Sequence, residues 1–210
     1  GVFLHDLTYA RFVTSYSWDM PTPYAADFEK ISHEDDHKIR ENIKRFNALC
    51  ESRGIMHKVH LDSGVPLQEL LKESAFADVM LIDTKTSFIS IGETFPNVFL
   101  KDLLTEARCP VIILPDQPTT VRSVIIAYDG SDSSAYALKM FSYLFPEWKE
   151  METTIVTVNH SSSNHIPKNR DVKDLAGRHF KKLSFTVLSG KPDDELEKYL
   201  KKAGPDTVVV

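Results

Sequence analysis

One block of this sequence occurs twice. Ser63-Gly64-Val65-Pro66, a stretch with Leu67, Leu70 and Leu71 at helical spacing, then Ala77-Asp78 and the apolar Val79-Met80-Leu81-Ile82 form the first copy. Ser189-Gly190-Lys191-Pro192, then Leu196, Tyr199 and Leu200, then Pro205-Asp206 and Val208-Val209-Val210 form the second. The offset from Gly64 to Gly190 is 126 residues. That is the size of a domain, not of a solenoid unit, so the 210 residues are expected to hold two copies of one fold.

Around the repeat, short branched apolar runs alternate with longer amphipathic stretches. This is the pattern of a parallel sheet with crossover helices, an α/β class. The first half predicts strands near Val2–Leu7, His57–Leu61, Val79–Asp83 and Val111–Leu114, and helices over Ile31–Arg53, Pro66–Ala75 and Asn97–Ala107. In the first helix Ile31, Ile39, Ile43, Phe46, Leu49 and Cys50 fall on one stripe, which is expected to face a core. Residues 116–121 carry turn chemistry and little apolar content, so the linker is placed there, with domains over 1–115 and 122–210. The second half predicts strands Ser123–Tyr128, Thr153–Asn159, Ser184–Leu188 and Thr207–Val210, and helices Ser134–Leu144, Lys173–Lys181 and Asp193–Lys202.

With 42% hydrophobic and 26% charged residues the chain can bury a core. A net charge of −5 with scattered basic residues argues against nucleic acid or an anionic membrane as a general partner. No apolar run approaches the ~20 residues of a membrane span. Two cysteines, Cys50 and Cys109, make no disulfide framework, and the first residues lack a secretory pattern. A cytoplasmic location is therefore expected, and the sequon Asn159-His160-Ser161 is read as chance. The chain opens on Gly1 into Val2-Phe3-Leu4 and stops in Val208-Val209-Val210. Domains rarely begin and end inside buried strands, so further chain at both ends is expected.

The run Ser123-Val124-Ile125-Ile126-Ala127-Tyr128-Asp129-Gly130-Ser131 is an apolar strand ending in an acid, a glycine and a hydroxyl, with a helix next. Doubly wound sheets bind ligands at the carboxyl ends of their strands. There Asp129 could accept from a base or ribose, and Gly130 would let a ligand approach the backbone. Plain helix capping by Asp129 or Ser131 explains the same residues equally well.

Asp-Gly-Ser after an apolar strand, with Ser134-Ala135 and Ala137-Leu138 opening the helix, resembles the start of a universal stress protein domain. So do Gly190-x-Pro192 before a helix, Pro205-Asp206 before the fourth strand, and Ala107-Arg108-Cys109-Pro110-Val111-Ile112-Ile113-Leu114-Pro115 at a domain's end. The resemblance covers nearly the whole chain, twice over. It implies two tandem Rossmann-like domains with parallel sheets of order 3-2-1-4-5, the first lacking its first strand and helix, the second its last helix and fifth strand. It implies a stress-response protein, and in the sequence itself no serine-histidine-acid arrangement or carboxylate pair points to a catalyst. ATP is then expected in the second domain only, held by Asp129, Gly130, Ser131 and the backbone at Val158, on condition that a glycine loop follows Val210. The alternative is a dimeric interaction scaffold that binds no nucleotide. Pairing between subunits or domains is expected through the edge strand Val111–Leu114.

The ATP-binding members of that family carry Gly-x2-Gly-x9-Gly-Ser/Thr after the fourth strand, where amides at a helix start hold phosphates. In the first half those positions are Asp83, Thr86, Pro96 and Asn97. The spacing survives without its glycines, so that half is expected to bind no ATP.

Other candidates are weaker. His33-Glu34-Asp35-Asp36-His37 matches a zinc-protease spacing. Both histidines lie opposite the apolar stripe, so a solvated helix start capped by Ser32 with Asp35 is preferred. Cys109 is read as a core residue, His57 and His60 as lying on opposite strand faces, and the His160–His165 loop as a surface loop that could border a crevice.

Overall fold

The computed structural model of the protein describes residues 1–7, 23–86, 97–117, 119–160, 163–204 and 206–210, and side chains from residue 35 onward within the first helix. Two compact units emerge, Gly1–Asp116 and Gln117–Val210.

In the first unit the described elements are β1 (Val2–Asp6), α1 (Pro23–Ser52), β2 (His60–Gly64), α2 (Pro66–Ser74), β3 (Met80–Asp83), α3 (Val98–Glu106) and β4 (Val111–Leu114). β1 pairs parallel with β2, and β3 with β4, as two separate two-stranded sheets. α2 begins on Pro66, whose missing amide costs nothing in the first turn. It packs on β1, β2 and α3. Its Leu67, Leu70 and Leu71 also join the core that Ile82 of β3 and Phe99, Leu100 and Leu103 of α3 build with Val111 and Ile113 of β4. One helix therefore serves both sheets.

The second unit runs β5 (Ser123–Ala127), α4 (Asp132–Leu144), a 3-10 turn (Pro146–Glu150), β6 (Glu152–Asn159), α5 (Asn169–His179), β7 (Lys182–Ser189), α6 (Pro192–Leu200) and β8 (Thr207–Val209). These strands form one parallel sheet of order β7-β6-β5-β8. β5 is interior, and its Val124 and Ile126 are among the most buried residues of the chain. They pack with Leu138 of α4, Ile155 of β6 and Val172 and Ala176 of α5. Phe141, Phe145, Trp148 and Phe180 close one end of this core, with Phe145 stacked on Trp148 at 4.5 Å.

Several expected bounds move. α1 starts at Pro23, so Ser32 lies inside the helix and not at its cap. Of the expected stripe, Ile31 lies outside the described side chains, Cys50 is buried, Ile39, Ile43 and Phe46 are half-buried, and Leu49 is 47% exposed. Among the described residues β1 lies against α1 and pairs with β2 alone. β2 begins at His60, not His57, and continues through Ser63 and Gly64, because these residues pair with His5 and Asp6. α5 starts at Asn169, because Lys168 adopts a left-handed conformation (φ 46°) and its carbonyl accepts from the Val172 amide.

Leu138 is fully buried between α4 and the sheet. Leu138→Ala should destabilise the second unit by about 2–5 kcal/mol, the range for an emptied leucine site, measured by urea unfolding against the parent.

Candidate functional site

Asp129, Gly130 and Ser131 sit where β5 turns into α4. The Asp129 carboxylate accepts the Ser131 amide at 2.8 Å, and the Ser131 hydroxyl accepts the Ser134 amide at 3.1 Å as the helix cap. The Ser134 hydroxyl donates back to the Ser131 carbonyl. The Ser131 hydroxyl first, then its amide and the Ser134 hydroxyl, hold the exposed Asp129 carboxyl down at about 2, below its ordinary 3.8. Capping is therefore present in the turn. It engages one face of the acid and leaves it ionised at neutral pH.

Gly130 is required on two grounds. Its φ is +82°, a conformation that side-chain-bearing residues rarely adopt. A Cβ there would also collide with the Cβ of Pro167. Pro167 belongs to a segment that returns over the turn. Asn159 donates to the carbonyls of Ser163 (2.6 Å) and His165 (2.9 Å), and Ile166 is buried in the core. Lys168 pairs with Asp132 at the start of α4, 3.2 Å apart. Residues 163–168 thus form a tied-down wall beside the turn. Pro167 and Lys168 are site residues that sequence reasoning missed; the only signal was Asn159, placed where a strand ends.

Val158 lies on the adjacent strand. Residues of a parallel strand direct their amide and carbonyl to alternate sides. The Val156 carbonyl accepts from Tyr128, just past the end of β5, whereas the Asn159 carbonyl accepts from Gly190 beyond β7. The Val158 amide and carbonyl consequently face the β5 side, two residues past the last β5 contact. The Thr157 hydroxyl, on the same stretch, donates to the Tyr128 carbonyl at 2.9 Å and secures the strand end. The structure thus brings a carboxylate, a bare glycine and an outward peptide group to the carboxyl ends of β5 and β6. A depression of about 350 Å³ lies at the opposite, amino ends of the strands, lined by Ser123, Glu152, Tyr199 and Lys202 among others.

In the first unit the described residues at the expected phosphate-loop positions after β3 bond within the chain. Asp83 accepts the Lys85 amide at 2.7 Å, and the Thr86 amide bonds the Asp83 carbonyl. The buried Asn97 accepts the Leu100 amide at 2.8 Å, capping α3, while its own amide group donates to the Thr86 carbonyl. Lys85 binds Asp116 at 2.7 Å and holds that carboxyl below its usual range. Pro96 lies outside the described residues.

The remaining candidates stay apart. His57 bonds Asn47 and the Ile55 carbonyl, His60 bonds Glu73 at 3.0 Å, and His5 meets Asp36 at 3.1 Å. His37 is exposed near Glu41, and the His33 side chain lies outside the described residues. Burial, with the charge of Asp78, pushes the Cys109 thiol up, the opposite of activation. Among the described residues no three His, Cys, Asp or Glu side chains gather as a metal site, and no helix is long and apolar enough to cross a membrane.

No protein-family model and no curated protein matches the chain. Among solved structures it is similar to the crystal structure of a universal stress protein from Archaeoglobus fulgidus DSM 4304, at TM-score 0.68 and 18% identity, covering 99% of this chain and 72% of that one. The fold is thereby that of a universal stress protein: α/β, with parallel strands flanked by helices.

The depressed Asp129 carboxyl has a pH signature. Its folded value of about 2 lies below the unfolded 3.8, so its contribution is present above pH 4 and lost as pH falls toward 2. Asp129→Asn should flatten the acid limb of stability between those values by no more than about 1 kcal/mol, since solvent screens the exposed group. Urea midpoints from pH 2 to 6 for parent and variant would show it; superimposable acid limbs would refute it.

Proposed function

We propose that the protein is a universal stress protein in function as well as fold. It acts in the cytoplasmic stress response by regulation and not by turnover of a metabolite. Its two units are tandem copies of one domain whose complete sheet order is 3-2-1-4-5. The second unit holds an adenine nucleotide at the β5 and β6 ends, with Asp129 on the ribose, the Val158 backbone on the adenine edge, and Gly130 and Ser131 lining the turn. The phosphates require a donor-rich loop after β8. The first unit binds none, because Asp83 and Asn97 occupy its phosphate positions with the chain's own bonds.

The observation that carries this reading is the Val158 peptide group, which faces the β5 side of β6 at the same carboxyl strand ends where the Asp129 carboxylate is held ionised. ATP titration by calorimetry of the protein with its β8 loop tests it. Asp129→Ala should weaken ATP binding by about 1–3 kcal/mol, the scale for a hydrogen bond to a charged group, with little change in melting temperature. Equal affinity in the folded variant removes Asp129 from the site.

The second reading is a ligand-independent dimeric scaffold. It is favoured by β4, which among the described residues pairs with β3 alone and carries half-buried Val111, Ile112 and Ile113. An unpaired strand edge recruits another strand. Sedimentation of Ile113→Lys should show a smaller assembly than the parent. An unchanged mass for a folded variant in an oligomeric parent rules β4 out as the contact.

A further inference from the structure

Residues 163–168 run from one strand end to the next. At the β6 end the Asn159 side-chain amide donates to the Ser163 carbonyl at 2.6 Å and to the His165 carbonyl at 2.9 Å. At the β5 end Pro167 packs where Gly130 lacks a Cβ. Between these anchors Ile166 is buried in the core that also holds Tyr128 and Val172. The open side of Gly130 therefore receives the chain's own wall. Of the anchors, Asn159 is the one that can be released without touching the core or the β5 turn.

The Val158 peptide group lies one residue before Asn159 and faces the β5 side. A peptide edge offers one carbonyl acceptor and one amide donor. Adenine presents an amino donor at N6 where guanine presents an acceptor at O6. A peptide carbonyl fixed in place thus matches the first base and repels the second. That discrimination lasts only while a base is unable to shift along the strand end and offer another part of its edge. A wall tied to the residue after Val158 supplies the stop.

We propose that Asn159 is a positioning residue that sets base selectivity in the second unit. Its two bonds hold residues 163–168 as the stop that keeps a base in register with the Val158 peptide, so the site takes adenine nucleotides and refuses guanine ones. This inference rests on the nucleotide reading and adds to it a preference and the residue that enforces it.

The test is calorimetric titration of ATP and of GTP into the protein with its β8 loop, for the parent, Asn159→Asp and Gly130→Ala. Asn159→Asp keeps the side chain's shape and removes both donated hydrogens. Gly130→Ala displaces Pro167 from the opposite end of the same wall. The parent should prefer ATP by at least about tenfold, the scale of leaving a polar group mispaired in a site. Each variant should lose most of that preference by gaining GTP affinity relative to ATP. The double variant should lose no more than the single ones, because both act on one wall. Asn159→Asp leaves the β5 turn intact and carries the test by itself where alanine at the positive φ of residue 130 prevents folding. Loss of structure alone would weaken both nucleotides together and leave their ratio unchanged. An unchanged ratio in Asn159→Asp overturns this inference and leaves the nucleotide reading standing, as does a parent that binds both nucleotides equally. A parent that binds no ATP brings down both.

Discussion

A parallel strand in the middle of a sheet needs partners on both edges and cover on both faces, and in this protein that demand is met in one unit and divided in the other. β5 has β6 and β8 beside it, and α4 and α5 pack over Val124, Ile126 and Ile155. Everything else in the second unit follows from its position. The strand's end sets where Asp129 and Gly130 turn, the turn sets where α4 starts, and Tyr128 anchors Val156 and Thr157 so that Val158 projects past it. Among the described residues the first unit shows two separate strand pairs, held by α2 and the α3 core.

The turn after β5 shows how local capping and long-range packing meet at one place. Asp129 and Ser131 satisfy local amides, which alone accounts for an acid and a hydroxyl at a helix start. Gly130 goes further than capping needs. Its positive φ and the close packing of Pro167 mean that the turn and the 163–168 segment are shaped against each other. Lys168, paired with Asp132, holds the two together electrostatically at an exposed position, where such a pair contributes little energy but fixes a geometry.

Much of this was legible in the sequence because it depends on local chemistry. The apolar run Ser123–Ala127, the Asp-Gly-Ser turn and the repeated Gly-x-Pro helix starts have short-range signatures, and each lands where expected. What was not legible depends on partners distant in the chain. The extension of β2 to Gly64 is set by pairing with β1, some sixty residues away in register. The exposure of Leu49 depends on what packs against α1, which no helical periodicity encodes. Pro167 and Lys168 carry no motif; their role appears only when Asn159 and Ile166 draw the chain back over β5.

Asn97 has a consequence of a different kind. A single side-chain amide both receives from the helix start and donates to the preceding turn, so it performs internally the service that an anion from solution can perform at a helix end. A group covalently attached to the chain is present in constant supply, whereas a dissolved one rises and falls with its concentration. A turn stitched in this way keeps its shape whatever the metabolic state of its surroundings. The start of α3 is thus held by the chain's own side chain.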